Sequence, residues 1–166
     1  MSSVVTPPFK TTLRSIVTAE SMQSIGKALG AVLSGGEVFA LNGDVGSGKT
    51  TFTKGLAAGM GVTDVVQSPT FTIERLYAAH NAMQLAHYDF YRLSEPGIMR
   101  AELQEAVTTE GNVVVVEWNE TVEDVLPAET TIHCTFSHDP SSARTIEFVV
   151  PTNFQQVIAV LKEELQ

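Results

Sequence analysis

Apolar and polar positions alternate along this chain with two different periods, one typical of helices and the other of strands. Apolar residues at helical spacing predict a helix from an N-cap at Thr18 to about Leu33, ended by the glycine pair at 35–36. Before it, residues 10–17 predict a strand. The uninterrupted Val113–Val116 run is typical of a central strand that is buried on both faces of a sheet.

The remaining segments continue this alternation of strands and helices. Strands are predicted at residues 37–42, 71–77, 83–88, 130–136 and 145–150, helices at 50–60 and 100–108, and a last helix after a cap at Thr152 or Asn153. The strands on either side of the His80–Asn81 turn predict a hairpin, so the sheet is expected to be mixed rather than purely parallel. Interleaved strands and helices favour one α/β domain over residues 1–166, in three layers of sheet and flanking helices, with a poorly ordered lead-in at 1–9.

The composition fits an ordinary globular domain, because 43% of the 166 residues are apolar. The single cysteine, Cys134, excludes an internal disulfide, is expected in the core and fits a reducing compartment. The first residues lack the layout of a signal peptide, and no apolar run reaches the ~20 residues of a membrane span. A cytoplasmic location is therefore expected.

The net charge of −9, from 19 acidic against 10 basic residues, argues against direct binding of nucleic acid. The lysines and arginines are scattered and form no basic stripe, so much of the surface would repel a phosphate backbone. Any nucleic acid is therefore expected to be held by another protein.

Residues 43–50 carry the most specific motif of the chain. They read Gly-Asp-Val-Gly-Ser-Gly-Lys-Thr and match the pattern G-x-x-x-x-G-K-[ST], between a predicted strand and a predicted helix. Glycines allow the backbone to wrap around a polyphosphate with its N–H groups directed inward, and the following helix adds its positive N-terminal end. Lys49 is expected to reach the β- and γ-phosphates, and the Thr50 hydroxyl to bind Mg²⁺. The motif therefore predicts a P-loop NTPase-like domain.

Two carboxylates that follow apolar strands are candidates to complete this site. Asp89 ends the strand at 83–88, and Glu117 ends the Val113–Val116 run. Because strand ends face the nucleotide at the carboxyl edge of such a sheet, these acids are expected to hold Mg²⁺ or to orient water. For each of them, a helix N-cap or a solvated strand end is the alternative. His87, two residues before Asp89, is expected to face the same side.

Three further expectations concern the surroundings of the loop. Asp44 is expected to point away from the phosphates and to hydrogen-bond the loop backbone. Thr70, within the Ser-Pro-Thr sequence at 68–70, is a candidate switch hydroxyl that senses a γ-phosphate, with a plain turn as the alternative. No arginine is clearly directed inward, so a partner protein is expected to supply one or to order the switch.

Four sequence blocks resemble, in order, those of the TsaE (YjeE) family of bacterial ATPases. They read Asn-Gly-Asp-Val-Gly-Ser-Gly-Lys-Thr-Thr-Phe at 42–52, Ser-Pro-Thr-Phe-Thr at 68–72, His-Tyr-Asp-Phe-Tyr-Arg-Leu at 87–93 and Val-Glu-Trp at 116–118. The resemblance spans roughly residues 18–150. It implies ATP and Mg²⁺ as ligands, slow ATP hydrolysis and a role in tRNA threonylcarbamoyladenosine biosynthesis. The implied partners are TsaB and TsaD, a heterodimer of actin-like folds that modifies the adenosine beside the anticodon, so tRNA would be reached only through them.

The same resemblance assigns roles to individual positions. Metal binding is assigned to Thr50, Asp89 and Glu117, and catalysis to Lys49, Glu117, Asp89 and Thr70. Nucleotide contacts are assigned to Asp44, Val45, Gly46, Ser47, Gly48, Lys49, Thr50, Thr51 and Arg144. Trp118 is expected near the nucleotide or a partner surface. Met22 stands where family members tend to have a threonine that touches the adenine region.

Two other functions remain as alternatives at this point. A small-molecule P-loop kinase would need a lid with several arginines, and the five arginines of this chain are not gathered in any segment. A nucleotide switch without hydrolysis would bind ATP and a protein but release no phosphate.

Overall fold

The computed structural model describes residues 9–69, 72–91, 93, 95, 97–138 and 143–166. Its strands are β1 (Lys10–Val17), β2 (Val38–Asn42), β3 (Glu74–Ala78), β4 (Gln84–Asp89), β5 (Asn112–Glu117), β6 (Thr131–His138) and β7 (Arg144–Pro151). Its helices are α1 (Ala19–Gly30), α2 (Lys49–Gly59), α3 (Ile98–Ala106) and α4 (Gln155–Glu164). No helix in these ranges is both long enough and apolar enough to cross a bilayer.

The seven strands of the described residues form one mixed sheet in the order β1-β7-β6-β2-β5-β4-β3. The four central strands, β6, β2, β5 and β4, run parallel. The edges are antiparallel, with β7 between β1 and β6 on one side and the β3–β4 hairpin on the other. This arrangement confirms the mixed sheet and the predicted hairpin. It also places the carboxyl ends of β2, β4 and β5 side by side.

Helices cover both faces of the sheet, which confirms the three-layer α/β architecture. Alternate residues of each central strand enter opposite cores, as Phe39 and Leu41 pack with α1, α2 and α4 whereas Val38 packs with α3. Phe52 of α2 lies at the centre of the larger core, with its ring centroid within 6.1 Å of the rings of Phe39, Phe136 and Phe148. Cys134 belongs to the same core as a free, fully buried thiol, as predicted, and burial raises its pKa.

Two predicted helix ends are wrong. Thr18 does cap α1, but the helix ends at Gly30 because the chain tightens into a turn in which the Val32 N–H donates to the Leu29 carbonyl at 3.0 Å. Leu33 still packs in the core, which is why the apolar spacing continues beyond the helix.

The cap of α4 also differs from the prediction. Phe154 holds the N-cap position, and neither Thr152 nor Asn153 caps the helix through its side chain. The Asn153 amide instead donates to the Glu129 carbonyl at 3.2 Å. The other predicted elements are present, and their described ends differ from the predicted ends by at most two residues. The predicted start of one strand at 71 lies outside the described residues.

Helices α1 and α2 approach each other so closely that only glycines fit between them. These are Gly26 and Gly30 on α1 and Gly55 and Gly59 on α2. A Cβ added to Gly26 would lie 2.4 Å from the Phe52 carbonyl oxygen, and one added to Gly55 would lie 2.1 Å from the Gln23 carbonyl oxygen. Because α2 carries the motif loop at its N-terminus, this contact of the two helices sets the position of the loop over the sheet.

Replacing Gly26 with alanine is therefore expected to lower the free energy of unfolding by about 1–3 kcal/mol through overpacking. In an unhindered helix the same change would instead raise it by up to about 1 kcal/mol. Urea denaturation measures the difference, with Ser24→Ala on the exposed side of α1 as the control, expected within about 0.5 kcal/mol of wild type. Equal or greater stability of Gly26→Ala would contradict the close approach of these helices.

Candidate functional site

A cavity of about 580 Å³ opens where the carboxyl ends of β4 and β5 meet the N-terminus of α2. Its walls come from separate segments of the chain that the fold brings together. The lining residues are Val45, Gly46, Gly48, Lys49, Thr50, Thr51, Ser68, Asp89, Tyr91, Glu117, Trp118 and Arg144.

The loop between β2 and α2 forms one wall of this cavity and depends on glycine. Gly48 has φ 112°, and a Cβ there would lie 2.3 Å from the sulfur of Met22, so a larger residue would be excluded by both backbone and packing. Met22 itself is fully buried beneath the loop and does not line the cavity, so it serves as a core residue. Gly48 holds the N-cap position of α2 without a capping side chain, which leaves N–H groups of the first turn for an anionic ligand.

Lys49, the first residue of α2, directs its ammonium back into the loop. Nζ donates to the Gly43 carbonyl at 2.6 Å and to the Asp44 carbonyl at 2.9 Å, and it lies 4.9 Å from the centroid of the Trp118 ring. The residue is only 6% exposed, and burial lowers the pKa of Lys49, although the nearby carboxylates, Glu117 first, act in the opposite direction. A cation that has lost much of its water in this way interacts strongly with an anion that enters the cavity.

Asp89 and Glu117 are paired across the ends of β4 and β5, where they are directly opposite each other in the parallel register. Both are almost completely buried. The Asp89 carboxylate accepts a hydrogen bond from the Tyr91 N–H at 2.9 Å and one from the Ser68 hydroxyl at 3.3 Å. Oε1 of Glu117 lies 2.8 Å from Nε2 of His87. Both carboxylates are therefore in hydrogen-bond contact with neighbouring groups at the cavity wall.

The donor atoms on this wall suit a hard divalent cation. Asp89, Glu117 and Thr50 all line the cavity, and Mg²⁺ prefers oxygen ligands such as carboxylates and hydroxyls, usually a few from the protein together with waters and phosphates. Among the described residues, no group of three or more His, Cys, Asp or Glu side chains could hold a metal by itself. The site thus fits a cation that shares its coordination with a ligand, rather than a closed protein site.

Most of the described residues that were assigned from the sequence lie on this cavity, but two do not. Ser47 is buried behind the loop and Asp44 is exposed, and neither lines the cavity. The expected hydrogen bond between the Asp44 carboxylate and the loop backbone is not seen among the described residues, where Lys49 and Ser47 donate to the Asp44 backbone carbonyl instead. Thr70 lies outside the described residues.

Arg144, which the resemblance assigned to nucleotide contacts, lines the cavity from the start of β7, so the expectation that no arginine of this chain is directed to the site is wrong. Two supporting residues, Ser68 and Tyr91, were not predicted. Ser68 and Tyr91 hold Asp89, and the Tyr91 ring also packs on that of Trp118 with centroids 4.8 Å apart. Both lie in the blocks that carry the family resemblance, which was the available signal for them. Trp118 has φ 55° and ψ 55°, an uncommon backbone conformation for a residue with a side chain that often marks a functional site.

Comparisons with known proteins agree with one another. Residues 16–146 match the family model described as "Threonylcarbamoyl adenosine biosynthesis protein TsaE". A Bacillus subtilis protein named tRNA threonylcarbamoyladenosine biosynthesis protein TsaE is 42% identical over 113 residues, which cover 68% of this chain and 70% of that protein. A protein of the same name from Treponema pallidum is 39% identical over 114 residues, 68% of this chain and 82% of that one.

Among solved structures, the fold is similar to the crystal structure of Bacillus subtilis YdiB. The superposition has a TM-score of 0.73 at 30% sequence identity, and it covers 94% of this chain and 96% of the other. The likeness therefore extends over nearly the whole of both chains.

Proposed function

This chain belongs to the TsaE family of threonylcarbamoyl adenosine biosynthesis proteins, and we propose that it serves tRNA modification by binding ATP with Mg²⁺ and hydrolysing it slowly. The observation that carries the proposal is the meeting, in one cavity, of the glycine loop, the buried Lys49 and the two carboxylates at the strand ends. A cavity of about 580 Å³ also has the size of an ordinary small-molecule site.

The balance of charge in the cavity supports a nucleotide that enters together with a cation. Lys49 and Arg144 bring two positive charges to the lining, and Asp89 and Glu117 bring two negative charges. These side chains cancel one another and leave the charge of a triphosphate uncompensated. Mg²⁺ held by Thr50, Asp89 and Glu117 would supply the missing positive charge on the phosphate oxygens.

Hydrolysis would proceed by in-line attack of water on the γ-phosphate. Lys49 and the N–H groups at the start of α2 stabilise the charge that spreads over the phosphoryl oxygens. Glu117, whose Oε1 lies 2.8 Å from Nε2 of His87, would orient a water molecule or ligate the metal. The protein takes little part in the covalent chemistry of such a reaction. The rate therefore depends on how the protein positions the reactants and stabilises the phosphoryl charge.

The proposed partners are two proteins that resemble TsaB and TsaD, which would hold the tRNA. The net charge of −9 supports binding of the tRNA by the partners rather than by this chain, because an acidic surface repels the phosphate backbone of free tRNA. On this proposal, the ATP cycle of this chain resets the assembly between turnovers and does not make the transferred group.

Phosphate release under single-turnover conditions tests this function. Incubation of the wild-type protein with γ-labelled ATP and Mg²⁺ is expected to release inorganic phosphate slowly, and chelation of the metal with EDTA to stop it. Transfer of the label to a metabolite instead of water would support a kinase. Label that stays in bound ATP for hours, with partners present, would support a switch that does not hydrolyse.

A Glu117→Gln variant in the same assay tests whether the Glu117 carboxylate takes part in hydrolysis. We expect the rate of phosphate release to fall about 100-fold, with the Kd of Mg-ATP within about threefold of wild type because the loop is untouched. Glu163→Gln, at an exposed position on α4, is the control and should retain the wild-type rate. A folded Glu117→Gln variant with the wild-type rate would contradict the role of this carboxylate.

A further inference from the structure

Behind the cavity wall lies a buried histidine whose role the proposed reaction leaves open. His87 is fully buried on β4, and its Nε2 lies 2.8 Å from Oε1 of Glu117 on the neighbouring strand. It does not line the cavity, so a ligand would meet Glu117 and not the imidazole. The ring is thus placed to act on the site only through this carboxylate.

The direction of this hydrogen bond follows from the form of the carboxylate. Toward an ionised Glu117, which is only an acceptor, Nε2–H of His87 is the donor to Oε1. Glu117 makes no other side-chain hydrogen bond to the part of the chain that the structure describes, which leaves Oε2 for a metal ion or a water molecule in the cavity. His87 therefore ties down one oxygen and leaves the other available.

The other ring nitrogen shows that simple packing does not explain the imidazole. Nδ1 of His87 is buried and has no hydrogen-bond partner among the described residues. A buried polar atom without a partner costs stability, and an apolar side chain at this position would avoid that cost. The parallel backbone ladder already joins β4 to β5, so the side-chain contact is not needed to pair the strands.

We propose that His87 is a positioning residue that holds the Glu117 carboxylate in its working orientation through Nε2–H. The inference rests on the proposed ATP hydrolysis. Asp89, the other carboxylate of the wall, is held in a comparable way by Tyr91 and Ser68. Partners that orient the carboxylates of metal sites typically change affinity or activity by about 10- to 100-fold when they are removed.

Two substitutions at this position separate the hydrogen bond from the bulk of the ring. His87→Leu fills the space without a donor, whereas the amide of His87→Gln can place an N–H near the position of Nε2. Single-turnover phosphate release is expected to fall at least 10-fold in His87→Leu and to return to within about threefold of wild type in His87→Gln, with the Kd of Mg-ATP nearly unchanged in both. His133→Leu is the matched control, since His133 is a partly buried histidine on β6 that does not line the cavity. If His87→Leu does not fold, His87→Asn, whose shorter amide cannot reach Glu117, takes its place.

A wild-type rate in folded His87→Leu or His87→Asn would overturn the inference. So would an equal loss in His87→Leu and His87→Gln with both folded, because the shape of the ring would then be what matters. If the wild-type protein neither binds nor hydrolyses Mg-ATP, the proposed function is wrong. The inference about His87 is then tested separately by the protonation state of its ring nitrogens.

That state can be read in the nucleotide-free protein. Long-range ¹H–¹⁵N correlation spectra of the wild type report which ring nitrogens of His87 carry protons. We expect a proton on Nε2 that exchanges slowly with water, and we expect its resonance to shift in Glu117→Leu. A neutral ring protonated only at Nδ1 would overturn the inference, because Nε2 would then have nothing to donate.

Discussion

Replacement of Lys49 by alanine is expected to slow ATP hydrolysis by roughly 10³-fold. Its ammonium is buried in the loop with two backbone carbonyls as hydrogen-bond acceptors, and a charge held in a partly dry site stabilises the developing phosphoryl charge strongly. Removal of a single preorganised hydrogen-bond donor typically lowers kcat about 10²- to 10³-fold. Lys49→Ala removes the donor together with its positive charge, so we expect a loss at the upper end of this range. Single-turnover phosphate release at saturating Mg-ATP measures the effect.

The control for this variant is Lys54→Ala, because Lys54 lies on the same helix but faces solvent. We expect Lys54→Ala to hydrolyse ATP at the wild-type rate. Lys49→Ala is also expected to remain folded in circular dichroism, since burial disfavours the ammonium and lowers its pKa. Unchanged kinetics in a folded Lys49→Ala protein would exclude the loop from the reaction.

Addition of the proposed partners is expected to raise the rate of hydrolysis by about 10³-fold, the gain that an arginine supplied in trans can give. Phosphate release by the isolated chain, and by the chain mixed with proteins that resemble TsaB and TsaD, measures the ratio. The same mixture made with Lys49→Ala is the control for phosphate released by the partners themselves. Equal rates with and without the partners would contradict partner dependence.

Arg144 gives this experiment a second use, because the structure places an arginine of the chain itself at the cavity. If the partners supply the catalytic arginine, Arg144→Ala should be stimulated by nearly the same factor as wild type. If they act by ordering Arg144, the stimulation should disappear in that variant. The two outcomes separate an arginine in trans from one in cis.

The loop and the ends of the strands were predictable from sequence because they depend on local signals. A complete G-x-x-x-x-G-K-[ST] motif between an apolar strand and a helix specifies its own geometry within a few residues. Asp89 and Glu117 were predictable as candidates because each directly follows an apolar run, and the carboxyl ends of parallel strands share one edge of the sheet. These predictions required no knowledge of the strand order.

The remaining features of the site depend on contacts between distant parts of the chain. The His87–Glu117 hydrogen bond requires β4 and β5 to be parallel neighbours in one register, which periodicity does not specify. The resemblance assigned Arg144 to the nucleotide, but the local pattern could not, because Arg144 reaches the cavity through the pairing of β7 with β6 at one edge of the parallel strands. The close contact of α1 with α2 could not be predicted for the same reason. In the sequence of each helix alone, glycine indicates only a residue that disfavours helix formation.

Isothermal titration calorimetry of the wild-type protein with Mg-ATP tests the central claim most directly. A saturable heat with one site per chain, competed by ADP and showing a weaker Kd in Lys49→Ala, is the expected result. The absence of heat over a range of temperatures, in a sample that circular dichroism shows to be folded, would contradict it.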